Sequence, residues 1–119
     1  MGLFSSKSKV KFPWVNLESE TQLMEALNSN HIVVLFKHST RCSISTMALS
    51  RFEANFIPNE NVLLLYLDLL SYRGISAKIA ESTGIEHQSP QIIVLRNKEL
   101  IYTATHNGID ASELMNILK

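Results

Sequence analysis

The sequence predicts an α/β domain, a mixed four-stranded sheet with helices on both faces. Two observations carry this expectation. His31 to Lys37, Val62 to Asp68 and Gln91 to Leu95 are apolar runs without polar alternation, which suits strands covered on both sides. Helical patterns separate the first three strands, arguing for parallel crossovers. The short last connection argues for an antiparallel C-terminal hairpin.

Each element has a local reason. Residues 1–12 read as a leader and residues 13–119 as one domain, with Phe12 to Leu17 bringing apolar bulk that docks on it. Met1-Gly2 to Ser6 also fits a loose myristoylation pattern, with Lys7, Lys9 and Lys11 behind it. Ser19-Glu20-Thr21-Gln22 fits a capping box ahead of Leu23, Ala26 and Leu27. Ile44, Ala48, Phe52 and Phe56, with Met47 beside them, predict an amphipathic helix from Ser43 to about Asn55. A helix near Gly74 to Thr83 carries Ile75, Ile79 and Ala80 on one face, and Gly84 is a natural stop. Arg96 to Glu99 is a hairpin loop before the strand Leu100 to Thr105. Asp110 caps a last helix with Leu114, Ile117 and Leu118 as its stripe.

Composition narrows the function. Eleven basic and eleven acidic residues give a net charge of zero, so no general attraction to nucleic acid is expected. No apolar run reaches the roughly 20 residues of a membrane span. The single cysteine and the absence of a secretory pattern suit a reducing cytoplasm, and a monomer is expected.

That cysteine, Cys42, follows a buried strand and a short polar loop, Ser39-Thr40-Arg41, and opens a helix. A helix N-terminus presents unpaired N–H groups and partial positive charge, which favour a thiolate. The expected donors are the amides of Ile44 and Ser45, with the Ser45 hydroxyl as a third. Arg41 and Lys37 add positive charge. Polar neighbours place the thiol in a wet loop, whereas a lone cysteine is more commonly a buried hydrophobe. Ser89-Pro90 opens the third strand, where a cis bond would mark a tight functional turn and leave the Ser89 backbone free to pair with an extended substrate.

These features resemble the thioredoxin fold over residues 19–119. More narrowly, Thr40-Arg41-Cys42-Ser43-Ile44-Ser45 is similar to the monothiol bacilliredoxin family. The resemblance implies removal of bacillithiol, or a similar small thiol, from S-thiolated client proteins. Cys42 is then the nucleophile, Pro90 the cis-proline beside it, and Ser45 stands in the place of a resolving cysteine. Arg41, Lys37 and Ser89 are the candidate contacts to the small thiol, with Arg suited to carboxylates. No tightly bound cofactor is implied. The small thiol is a co-substrate, and a further thiol or a recycling reductase frees Cys42. Dithiol thioredoxins carry a buried aspartate six residues before the nucleophile and a lysine on the neighbouring strand. Here Phe36 stands at the first position, and the neighbouring strand offers Leu63-Leu64-Leu65.

Two other functions compete. One is an interaction module of the same fold, with Cys42 non-catalytic or merely capped by a thiol. The other is an iron–sulfur cluster shared between two chains, although the Cys-Gly-Phe-Ser motif of monothiol glutaredoxins is absent. His38, four residues before Cys42, is a candidate for tuning the thiol. His31, His87 and His106 have no ligand spacing, and Trp14 is expected to anchor the leader.

Overall fold

Residues 11–119 are described by a computed structural model. The leader's myristoylation-like segment lies outside them. The elements run β1 (Val15–Asn16), α1 (Glu20–Leu27), β2 (Ile32–His38), α2 (Ser43–Asn55), β3 (Val62–Asp68), α3 (Arg73–Thr83), β4 (Gln91–Arg96), β5 (Glu99–Thr105) and α4 (Ala111–Ile117), with a 3₁₀ turn at His106–Gly108. Among the described residues, no helix is long and apolar enough to cross a membrane.

The sheet has five strands rather than the expected four, in the order β1-β3-β2-β4-β5. The extra strand is the two-residue β1, which pairs in parallel with β3 through Val15↔Leu65 and Asn16↔Tyr66. Two residues are too few to show a period. The docking expected of this segment is what forms the strand. β2 lies parallel to β3, as expected, but antiparallel to β4, so the helix between β3 and β4 does not make the parallel crossover expected of it. The connection after α3 returns the chain to the opposite end of the sheet, and β4 is antiparallel to β5 as well. The hairpin turns on Asn97 and Lys98, both at positive φ, the signature of a primed two-residue turn matched to strand twist.

Strand alternation divides the core. Val33 and Leu35 face α1 and α3, where they pack with Leu23, Ile75 and Ile79. Val34 and Phe36 face α2 and α4, where they pack with Ala48, Phe52 and Leu114. Both faces of β2 are thus apolar, as its unalternating sequence demands.

Capping ties the edge strand to the first helix. The Ser19 hydroxyl accepts from Gln22 N at 3.1 Å. Gln22 reaches back as expected, but to Glu18 N at 2.8 Å and to Asn16 O at 2.8 Å. Asp110 caps α4 by accepting from the Ser112 and Glu113 amides.

Some expected core positions lie outside. On α2, Ile44 and Met47 are 52% and 66% exposed, and on α4 Ile117 is exposed. A stride of four residues advances 40° beyond a full helical turn. Over Ile44, Ala48, Phe52 and Phe56 that drift reaches about 120°, so Ile44 cannot share the buried face. Ser45 takes the inward position in the first turn and is fully buried.

Candidate active site

Cys42 is the N-cap of α2, with φ −112° and ψ 121°. Its backbone N–H donates to Ser39 O at 3.2 Å, closing the loop after β2, and its carbonyl accepts from Thr46 N at 3.0 Å. The thiol is free and half-buried. Its side chain makes no capping hydrogen bond. The expected bonds from the Ile44 and Ser45 amides are therefore not formed here, although the thiol sits where those amides are unpaired.

Ser45 is 0% exposed, and its hydroxyl is committed away from Cys42. Oγ accepts from Ser39 N at 3.1 Å and lies 2.8 Å from His38 Nδ1. Burial pushes His38 below its ordinary value, outweighing the opposing pull of the Asp68 and Glu53 carboxylates. The neutral ring whose Nδ1 is unprotonated receives the Ser45 O–H. Protonation makes Nδ1 the donor in this pair. The serine in the resolving place is thus also a structural bolt between β2 and α2. Ser45→Ala is expected to destabilise the protein by about 2 kcal/mol, because the Ser39 N–H and His38 Nδ1 lose their partner. Urea denaturation at pH 7 measures this, and a loss under about 0.5 kcal/mol would show that water replaces the hydroxyl.

His38 is the residue that sequence reasoning undervalues. It stands seven positions from Ser45, on a different element, so no local spacing signals the pair. Its ring also packs against Tyr66 at 5.5 Å.

Phe36 is completely buried. It lies 5.7 Å from both Trp14 and Phe52. The residue opposite it on β3 is Tyr66, not one of Leu63 to Leu65. Aromatic packing thus fills the position where dithiol thioredoxins hold their aspartate. Trp14 anchors the N-terminal segment, stacking on Phe52 at 5.9 Å and donating from Nε1 to Glu53 Oε2 at 2.7 Å. Phe12 packs on Trp14 at 5.0 Å, so the packed unit already includes it.

The Ser89–Pro90 bond is cis. Lys37 pairs with Gln91 in the β2–β4 register, which sets Ser89–Pro90 beside the loop that leads to Cys42. Gln91 staples the approach to this turn. Its side chain accepts from Gln88 N at 3.3 Å and donates to Glu86 O at 3.0 Å. Ser89 Oγ is buried without a hydrogen-bond partner.

Arg41 stands beside Cys42 in the loop. Lys37 is not the solvent-facing cation that a strand end suggests. It is 0% exposed, and its Nζ has no hydrogen-bond partner. The strand runs one residue further than expected, to His38. Alternation then turns Lys37 inward, toward the α1 and α3 face. Burial lowers it from 10.5 to about 8.

The strand–Cys42–helix unit, the cis-proline and the absence of a second cysteine mark a monothiol, oxidoreductase-like protein of the thioredoxin fold. The family model for monothiol bacilliredoxin BrxC matches residues 15–114, and the chain belongs to that family. Solved structures agree on the fold. One described as a proposed oxidoreductase with a thioredoxin fold is 29% identical, with TM-score 0.78, covering 89% of this chain and 94% of its own. Thioredoxin from Malassezia sympodialis is 21% identical, with TM-score 0.68 and 95% of each chain covered. Thioredoxin from Trypanosoma brucei brucei is 14% identical, with TM-score 0.63 and 95% of each chain covered.

Proposed function

We propose that this protein removes bacillithiol, or a similar small thiol, from S-thiolated client proteins. The observation that carries this reading is the half-exposed Cys42 at the α2 N-terminus, with a buried hydroxyl, Ser45, in the resolving place. The Cys42 thiolate attacks the small-thiol sulfur of the client's mixed disulfide. The client sulfur leaves with the bonding electron pair and takes a proton from solvent. The product is a disulfide between Cys42 and the small thiol. A second small-thiol thiolate then attacks the small-thiol sulfur of that disulfide, releasing a symmetrical small disulfide and the Cys42 thiolate. Both steps depend on thiolate character and access. Ser45 takes no electrons, so release needs a thiol or a reductase from outside, in the cytoplasm.

The surroundings suit such a client. Ile44 and Met47 expose apolar surface on the first turns of α2, beside the nucleophile. The Ser89 backbone, preceding the cis bond, offers an edge for an extended client segment.

The test is intact mass. Reduced protein mixed with an S-bacillithiolated client is expected to gain one bacillithiol on the Cys42 peptide as the client loses one. A client that keeps its adduct, while Cys42 stays reduced, would favour the interaction module instead.

A further inference from the structure

Beside the loop that leads to Cys42 the surface falls into an open groove of about 320 Å³, lined by Thr40, Arg41, Asp68, Leu70, Ser71 and Arg73 but not by Cys42 itself. Thr40 and Arg41 belong to the loop that delivers the nucleophile. Asp68 ends β3, Leu70 and Ser71 lie in the β3–α3 connection, and Arg73 opens α3. Two arginines, far apart in sequence, therefore line one space. Neither has an ion-pair or side-chain hydrogen-bond partner among the described residues, where the one salt bridge found is Lys78–Glu81.

The lone carboxylate in the groove is already occupied. Asp68 Oδ1 accepts from Leu70 N at 3.2 Å, and Oδ2 accepts from Ser71 Oγ at 2.9 Å. Asp68 therefore shapes the turn that presents Ser71 and Arg73. Counting Asp68, the groove still carries one net positive charge. Arg73 also opens α3, whose first turn has no acidic residue. A cation there opposes the helix dipole and costs stability. The N–H groups of that turn add to the positive field that Arg73 projects.

We propose that this groove is the recognition subsite for a carboxylate-bearing arm of the small thiol linked to Cys42, with Arg73 its second clamp beside Arg41. The inference rests on the exchange reading above and deepens it. It transfers to Arg73 the role that the sequence assigned to Lys37, whose ammonium is buried in the fold. Planar guanidinium groups bind carboxylates through paired N–H donors. Attack at the sulfur nearer the acidic arm leaves that arm attached to Cys42, one residue along the chain from Arg41 in the groove wall. The client sulfur is the leaving group, so the clamp also selects which sulfur is attacked.

A carboxylate has two possible sources, the small thiol or an acidic residue of the client. One experiment separates them. A neutral single-cysteine peptide is capped either with mercaptosuccinate, which is acidic, or with 2-mercaptoethanol, which is neutral. A third substrate places glutamates beside the cysteine and carries the neutral cap. Arg73→Gln is expected to slow transfer of the mercaptosuccinate cap about tenfold, the loss of one charge-assisted hydrogen-bonded contact. Transfer of the neutral cap from the neutral peptide is expected to stay within about twofold. Arg73→Lys is expected to fall between, keeping the charge but losing the paired donors. Equal slowing of both caps, or slowing of neither, would overturn the subsite. Slowing confined to the glutamate peptide would give the groove to the client and overturn it too. Failure of the unmodified protein to take either cap would reject the exchange reading itself, and the subsite with it.

Discussion

Cys42→Ala is expected to abolish transfer of a small thiol from a client, leaving only the rate of the solution thiols present. The chain has no other cysteine, so no second nucleophile can take over. Cys42→Ser is expected to be equally inactive, because a hydroxyl does not displace a thiolate from a disulfide. Both variants should keep the fold, since Cys42 is half-buried and its side chain makes no capping hydrogen bond. Ser45→Cys probes the same chemistry by addition. Position 45 lies three residues past the N-cap Cys42, the spacing of a dithiol motif, and its thiol resolves the Cys42 mixed disulfide by turning out of the buried site beside His38. It attacks the Cys42 sulfur and expels the small thiol as a free thiol. An internal disulfide between positions 42 and 45 remains, which a two-electron reductant must open. Mass spectrometry distinguishes the outcomes, because the adduct adds the mass of the small thiol less two hydrogens, whereas the internal disulfide only loses two hydrogens. Accumulation of a stable adduct in Ser45→Cys, with the new thiol unreacted, would show that the α2 first turn holds position 45 too far inward to resolve. Activity in Cys42→Ala would end the exchange reading.

Much of this architecture was legible because burial writes itself into periodicity. β2, β3 and β4 are long enough to show unalternating apolar runs, Ser19 and Asp110 mark helix starts by side-chain capping, and Gly84 marks a helix end by its positive φ. What escaped depends on three-dimensional neighbours. β1 is two residues whose strand character comes from pairing with Leu65 and Tyr66. The Ser45–His38 contact joins a helix to a strand. A serine in the first helical turn reads as polar and exposed, yet it is fully buried because the imidazole and the Ser39 amide satisfy it. Within the site, Cys42, Ser45 and the cis Ser89–Pro90 bond are placed by motifs. Arg73 carries no motif, and only the approach of the β3–α3 turn to the Cys42 loop sets it opposite Arg41.

Lys37 yields the second large effect, and here the expected change is a gain. Its ammonium is fully enclosed and has no hydrogen-bond partner. Burial lowers its pKa from 10.5 to about 8. That difference corresponds to a penalty of about 3 kcal/mol on the protonated folded state. The sign follows from proton binding. Below pH 8 both states hold the proton, and the penalty is present in full. Between pH 8 and 10.5 the unfolded chain holds more protons than the folded one, so this group's contribution to stability rises with pH. Above 10.5 both states are neutral and the penalty is gone. Methionine matches the length of the lysine stem without its charge, so Lys37→Met is expected to stabilise the protein by about 2 kcal/mol at pH 7. The melting temperature should rise by about 6 °C. Tyr66, Tyr72 and Tyr102, whose hydroxyls are all shifted upward, also titrate at alkaline pH. They are common to both proteins, so the difference between variant and parent isolates Lys37. Denaturant titrations at pH 7, 9 and 10.5 should show the advantage of Lys37→Met shrinking toward zero. A constant advantage across that range, or a destabilised variant at pH 7, would mean that the ammonium finds a partner in solution. Transfer of an acidic cap should change less than about twofold in Lys37→Met, because the ammonium that is removed never reached the groove.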